Sequence, residues 1–194
     1  MASFKMTQGV SRVPEDVFVE DGMTVTSGGL TVTAGGVTVT AGTTTLGGSL
    51  IRDLVTLTAT ATLTNADHAG RILLMGEVGG DAAATFTLPA ATGSGAEFQF
   101  IVSVVNTSNY VIKVADATDT IDGSVTLHQD SANTVASFNT AADSDTITMN
   151  GTTTGGVSIG DEITLIDIAT NQYIVKGILT ASGTEATPFS ASVS

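Results

Sequence analysis

The chain has 194 residues, a net charge of −13 from 6 basic and 19 acidic side chains, and no cysteine. Its Lys and Arg residues are scattered and form no basic stripe, so the composition argues against a nucleic-acid partner. The lack of cysteine excludes disulfides and thiolate metal sites. Threonine, valine, alanine and glycine dominate without helical periodicity, so the sequence predicts an all-β fold. No apolar run approaches the roughly 20 residues of a membrane-spanning helix, so we expect no membrane insertion.

Residues 1–21 form the first predicted unit, an N-terminal arm of mixed charge. Pro14 disfavours a helix there, and the apolar trio Val17, Phe18 and Val19 stands near the end of the arm. An apolar tip on such an arm indicates a segment that docks on a larger partner, and a frayed terminus is the alternative. The first interpretation assigns the trio to anchoring.

Residues 22–42 contain a seven-residue unit of the form G-x-T-V-T-A/S-G that occurs three times in succession. The β-branched residues and the paired glycines between units favour short strands separated by turns over a coiled coil. An antiparallel meander with Gly-Gly turns and a stack of rungs shared between chains both fit the repeat. A flexible Gly/Thr linker is the third interpretation, but a linker has no reason to keep apolar residues in register.

The repeat has too few apolar side chains to repay the entropy of ordering it as a lone copy. A segment that cannot bury its apolar row alone must bury it against another element, and an identical chain about a symmetry axis is the most available partner. We therefore predict that residues 22–50 form a short β stem of a homotrimer. Six side chains are expected to face inward: Met23, Val25, Leu30, Val32, Val37 and Val39.

Residues 51–194 form the third predicted unit, in which strand-like runs recur at short spacing with turn-prone residues between them. That spacing predicts a C-terminal antiparallel β-sandwich or barrel. The runs cover residues 54–64, 71–76, 84–90, 97–105, 110–115, 124–129, 145–150, 161–168 and 172–179. The predicted core contains Leu73, Phe86, Leu88, Phe98, Phe100, Val102, Val111, Ile112, Leu127, Phe138, Ile147, Ile163, Leu165, Ile174 and Ile178.

Three parts of the chain resemble structural proteins of tailed bacteriophages, especially marine ones. They are the G-x-T-V-T-A-G units, ATFTLPAATGSGAEFQFIVSVVNTSNYVIKVADATDTIDG (84–123) and GVSIGDEITLIDIATNQYIVKGILTASGTEATPF (156–189). The resemblance covers most of the chain from about residue 22 to residue 189. In similar sequences a tryptophan often stands where this chain has Tyr173. The resemblance implies a β stem and a compact β domain that form trimeric decorations, head fibres or tail-fibre segments.

The acidic residues offer two candidate sites. Asp116, Asp119 and Asp122 stand before Gly123 and suggest calcium, but their spacing is not that of an EF-hand loop, and aspartates in turns commonly bond their own backbone. Asp161 and Glu162, with Asp167 six residues after Asp161, suggest a glycosidase pair. No tryptophan and few tyrosines accompany them as a sugar platform. We therefore favour a turn for the first group and no catalysis for the second.

The remaining polar residues are weaker candidates for a functional site. His68 and His128 lack the spacing of a metal site, although a histidine near a threefold axis could bind a metal together with its two symmetry copies. Ser94 within Gly-Ser-Gly is predicted to lie in a hairpin turn, and the sequons at Asn106 and Asn150 carry no weight without a secretory route.

These observations predict a non-enzymatic structural protein on the outer surface of a phage virion. It would be a homotrimeric capsid decoration or head fibre, attached to the major capsid protein or another virion protein through Val17, Phe18 and Val19, and it would need no cofactor. The alternative is a tail-fibre or receptor-binding protein that recognises a host surface glycan or protein through loops such as 115–123 and 151–156. A depolymerase spike is the third hypothesis.

Overall fold

The computed structural model describes residues 48–77 and 81–193. The chain divides into Met1–Ser49 and a compact unit, Leu50–Ser194. The predicted arm and most of the predicted stem therefore lie outside the described residues. This applies to the anchoring residues Val17, Phe18 and Val19 and to the stem residues Met23, Val25, Leu30, Val32, Val37 and Val39.

The unit from Leu50 onward is built from short strands and a single turn of helix among the described residues. Thr64 caps that helix, because its hydroxyl oxygen accepts the backbone N–H of Asp67 at 3.1 Å. No helix in this part of the chain is long and apolar enough to cross a membrane. The elements are β1 (Leu54–Leu57), β2 (Ala61–Thr62), α1 (Asn65–His68), β3 (Ile72–Met75), β4 (Ala84–Thr87), β5 (Glu97–Val102), β6 (Tyr110–Lys113), β7 (Thr120–Gln129), β8 (Val135–Asn139), β9 (Thr146–Met149), β10 (Glu162–Ala169), β11 (Gln172–Ala181) and β12 (Phe189–Ser190).

The strands form two sheets that pack on one core. The seven-stranded sheet has the order β1-β3-β5-β10-β11-β7-β8, and the five-stranded sheet has the order β12-β9-β6-β4-β2. From β1 to β6 the chain alternates between the two sheets. As a result β1, β3 and β5 lie parallel to one another in the first sheet, and β2, β4 and β6 lie parallel in the second. The all-β class predicted from composition is confirmed.

The antiparallel pairing expected from strand spacing is wrong, because both sheets are mixed. Each of the first strands is followed by a crossing to the other sheet, so the next strand of the same sheet runs in the same direction as the one before it. The predicted run 54–64 accordingly divides into β1 and β2, which belong to different sheets. The pairing of β7 with β11 is also parallel, whereas β10 and β11 form an antiparallel hairpin.

The core lies between the sheets and contains most of the predicted residues. The rings of Phe86 and Phe100, one from each sheet, stack with centroids 6.0 Å apart. Four predicted core residues are not buried: Val111, Phe138, Ile174 and Ile178. Val111, Ile174 and Ile178 stand at the outward-facing positions of their strands, whereas Phe138, on the edge strand β8, is partly buried and packs against the core.

Candidate interaction surface

Asp167 is buried near the end of β10 and fixes the crossing from β4 to β5. Its carboxylate accepts the backbone N–H groups of Thr92 at 3.0 Å, Gly93 at 2.7 Å and Ser94 at 3.0 Å, and the Ser94 hydroxyl at 2.6 Å. Burial alone would raise the pKa of Asp167, but these hydrogen bonds outweigh burial and lower the pKa to about 2. The expected hairpin turn at Ser94 is wrong, because β4 and β5 belong to different sheets.

Asp161 has a comparable structural role at the start of β10. Its Oδ2 atom accepts the backbone N–H groups of Gly156 at 2.8 Å and Thr180 at 2.9 Å, and so ties the 151–156 loop to β11. Asp161 and Asp167 are separated by six residues of extended chain, or roughly 20 Å. A glycosidase pair needs carboxyl groups roughly 5–9.5 Å apart. That separation excludes the two aspartates as one catalytic pair.

The three aspartates of the 115–123 segment make contacts in different parts of the fold. Asp116 accepts the backbone N–H of Thr118 at 2.9 Å, which confirms the turn predicted for it. Asp119 is buried and accepts a backbone N–H of the β4–β5 crossing at 3.2 Å, whereas Asp122 lies in β7 and accepts the Gln172 side chain at 2.8 Å. No group of three or more acidic or histidine side chains within residues 48–77 and 81–193 is arranged to hold a metal ion.

The histidines and the sequon asparagines are not brought together into a site. His68 belongs to α1, where its ring contacts the Thr64 backbone, and His128 is exposed on β7. Asn106 is buried and donates to the Ala82 carbonyl at 2.8 Å. Asn150 accepts two backbone N–H groups within its own loop. Both asparagine side chains therefore stabilise loops through hydrogen bonds to the backbone.

The outward side of the seven-stranded sheet is rich in aliphatic side chains. Strand alternation places them opposite the core, and Ile166 lies directly across from Ile174 in the β10–β11 pair. Ile178 is 61% exposed and Leu54 is 63% exposed. This set, called the isoleucine face below, consists of Leu54, Ile72, Leu74, Ile101, Ile166, Ile174 and Ile178.

Charged groups of both signs interrupt the isoleucine face. Lys176 and Glu162 line an open depression of about 600 Å³ over β5, β10 and β11. Glu162 accepts the Gln99 side chain at 2.8 Å, while Lys176 makes no ion pair with any residue that the structure describes. On β5, Glu97 is paired with Arg52 at 3.1 Å. Among the described residues, Lys176 is therefore a cation without an ion pair that lies beside Glu162, and Ile166 and Ile178 line the same depression.

The outward side of the five-stranded sheet has a different character. Threonine dominates it, and these hydroxyl-bearing side chains suit a surface that faces water. The outward residues of β2, β4, β6 and β9 include Thr62, Thr85, Thr87, Val111, Lys113 and Thr148. The two outer faces of one domain thus differ sharply in apolar content.

No protein-family model, no curated protein and no solved structure matches the chain. The relation to phage structural proteins therefore stays a prediction from the sequence motifs quoted above.

Sequence reasoning did not find the isoleucine face, because it assigned Ile174 and Ile178 to the core. A signal was present in the same strand. Gln172 and Lys176 have the same parity as the two isoleucines, so the alternation of β11 places all four on one side. The polar pair marks that side as the outer one.

Proposed function

We propose that the protein is a non-enzymatic structural component of a phage virion, a homotrimeric capsid decoration or head fibre attached through its N-terminal region. The observation that carries this proposal is the isoleucine face, in which Leu54 and Ile178 are exposed and the other five side chains are partly buried, whereas threonine dominates the outward side of the other sheet. An exposed aliphatic patch is typical of a surface that binds another protein. The apolar register of the 22–42 repeat supports the same conclusion from a separate part of the chain.

The use of the buried carboxylates supports a structural role. Asp145, Asp161 and Asp167 each accept at least two backbone N–H groups, so their lone pairs are engaged in holding loops. A catalytic acid or base must reach a substrate proton. These aspartates face the protein backbone instead, and we assign them to stability.

Electron microscopy of purified particles of the phage that encodes this chain tests the proposal. We expect density for the protein on the outer surface of the capsid, in threefold-symmetric groups, and peptides of the chain in the particle proteome. Purified particles that lack the chain would overturn the assignment. Light scattering of the free protein is expected to give about three times the mass of the 19.5 kDa chain.

A second candidate, a receptor-binding fibre, is favoured by the order of the 150–155 loop. The Oδ1 atom of Asn150 accepts the backbone N–H groups of Thr152 at 2.9 Å and Thr154 at 3.0 Å, so the loop is fixed before any ligand arrives. Thr152 is exposed at its tip. Binding to a glycan array that is lost in Thr152→Ala would support this candidate, and no binding across host glycans would remove glycan recognition.

A further inference from the structure

We propose that the isoleucine face is the contact surface between β-sandwich domains of neighbouring copies, with Lys176 of one copy paired to Glu162 of the next. This inference rests on the proposed homotrimer and names the surface through which its domains meet. The partner is a second copy of this chain.

The contrast between the two outer faces gives the first argument. An antiparallel or mixed sandwich that faces water on both sides alternates apolar and polar residues along each strand, as β4 does here with Thr85 and Thr87 outward. Strands β10 and β11 instead place Ile166, Ile174 and Ile178 outward among polar and charged residues. Because burial of aliphatic surface is favourable by about 25 cal/mol per Å², contact with another surface that removes this face from water would be favourable.

The charges on the face indicate which partner covers it. The chain has 19 acidic and 6 basic residues, so most of its surface would select a basic partner. The isoleucine face instead has Lys176 beside Glu162 within one depression. Each contact in a cyclic trimer joins two different parts of the chain's surface, so a face with both signs can place Lys176 of one copy against Glu162 of the next.

The side chains of the face do not suit a sugar. The aromatic residues of these strands, Phe98, Phe100 and Tyr173, are fully buried in the core. The outward positions hold aliphatic groups, which pack well against other aliphatic groups at subunit contacts. The glycan that the second candidate function requires would therefore bind elsewhere.

Chain continuity also favours a second copy. The chain enters the domain through Leu50 and Ile51, which are 74% and 88% exposed, and Leu54 then lies opposite Ile72 on the isoleucine face. The predicted stem residues immediately precede this entry. Copies held together by residues 22–50 would have their β domains tethered to one another, which raises the effective concentration of one face for another.

Single introduced thiols test directly whether another copy covers the isoleucine face, because the natural chain has no cysteine. Ile178→Cys places a thiol on the isoleucine face, and Thr62→Cys places one on the threonine-covered side as the control. Both full-length variants are labelled with a maleimide while light scattering records their mass. We expect labelling at position 178 to be about tenfold slower than at position 62, which corresponds to a cover worth about 1.4 kcal/mol.

The possible outcomes separate this inference from the proposed function. A trimer with equal labelling rates would overturn the shared face and leave the homotrimer intact. A dimer with slow labelling at position 178 would support the face and overturn the trimer. The mass of a single 19.5 kDa chain would overturn both.

Charge reversal in the Ile178→Cys background tests the pairing. Glu162→Lys gives every copy a cation at both positions 162 and 176, and Lys176→Glu gives every copy an acid at both, so each variant alone should label faster at low salt. In a mixed trimer two of the three contacts pair opposite charges and the third pairs like charges, so co-expression of the two variants should restore slow labelling in part. Positions 162 and 176 still hold like charges within each variant chain, so at these two positions only a copy of the other variant can supply the opposite sign. Unchanged rates in the single variants, or no rescue on co-expression, would contradict the pairing.

Discussion

Asp119 and Asp167 together accept the four consecutive backbone N–H groups from Ala91 to Ser94. Asp119 accepts the first, from Ala91, at 3.2 Å, and Asp167 accepts the next three. Asp119 immediately precedes β7 and Asp167 lies in β10, and their carboxylates meet at one crossing between the sheets. Their pKa values shift in opposite directions, because Asp167 has many donors and Asp119 has one. Asp167 therefore holds the crossing with more hydrogen bonds than Asp119 does.

The first prediction concerns the Asp167→Asn variant. The amide has one oxygen and an NH₂ group, so it cannot accept the three backbone N–H groups and two hydroxyls that the carboxylate accepts. We expect the free energy of unfolding at pH 7 to fall by about 2–3 kcal/mol, the range for hydrogen bonds to a buried charge. Urea unfolding measures it. Asp143→Asn, at an exposed position, is the control and should leave stability nearly unchanged.

The second prediction is the pH dependence of that contribution. The pKa of Asp167 falls from an ordinary 3.8 to about 2 in the folded protein. Because the folded pKa lies below the unfolded one, the stabilisation is fully present above pH of about 4 and is lost as the pH falls towards about 2. Unfolding curves of the natural chain and Asp167→Asn should converge across this window. A gap that stayed constant down to pH of about 2 would contradict the prediction.

Asp119→Asn should act in the opposite direction. Burial is the main cause that raises the pKa of Asp119, and the charges of Asp116 and Asp167 add to it. A folded pKa above the unfolded one means that ionisation destabilises the fold as the pH rises beyond the ordinary aspartate range. The amide oxygen can still accept the Ala91 N–H. We expect Asp119→Asn to be at least as stable as the natural chain at pH 7, with an advantage that disappears in acid; a clear loss at pH 7 would refute this.

The two buried tyrosines provide a matched pair for the next prediction. The Tyr110 hydroxyl accepts the Glu77 N–H at 3.1 Å and donates to the Val104 carbonyl at 2.9 Å, whereas the Tyr173 hydroxyl donates to Pro89 at 2.9 Å. Tyr110→Phe leaves a buried N–H without an acceptor and should cost about 1–3 kcal/mol. Tyr173→Phe leaves only a carbonyl and should cost less. Equal losses in thermal unfolding would contradict this ranking.

The alternation of side chains predicted where most strands lie but not always which side they bury. In β11, aliphatic residues occupy both parities, so hydrophobicity alone left Ile174 and Val175 equivalent. The choice is made by tertiary contacts, including the hydroxyl of Tyr173 on Pro89, a residue 84 positions away in sequence. Only the polar residues Gln172 and Lys176 marked the outer side.

Local sequence predicted turns correctly but not their direction. Gly93 and Gly95 have φ of 76° and 74°, which fits the turn indicated by Gly-Ser-Gly. Whether such a turn pairs adjacent strands or carries the chain to another sheet depends on what binds it. Asp167 binds it from 73 to 75 residues away, and local sequence contains no trace of that contact. The same limit explains why parallel pairing was not predicted.

Gly123 shows how close the parallel β7–β11 pair is, and it carries the last prediction. Its φ is 139°, and a Cβ at this position would collide with the carbonyl oxygen of Val175, its partner residue in β11. Gly123→Ala should therefore lower the free energy of unfolding by about 3 kcal/mol through backbone strain and displaced strands. Gly183→Ala, where nothing lies within 4 Å, is the control and should stay within about 0.5 kcal/mol. If both variants unfold at the same denaturant concentration as the natural chain, the close approach of β7 and β11 is wrong.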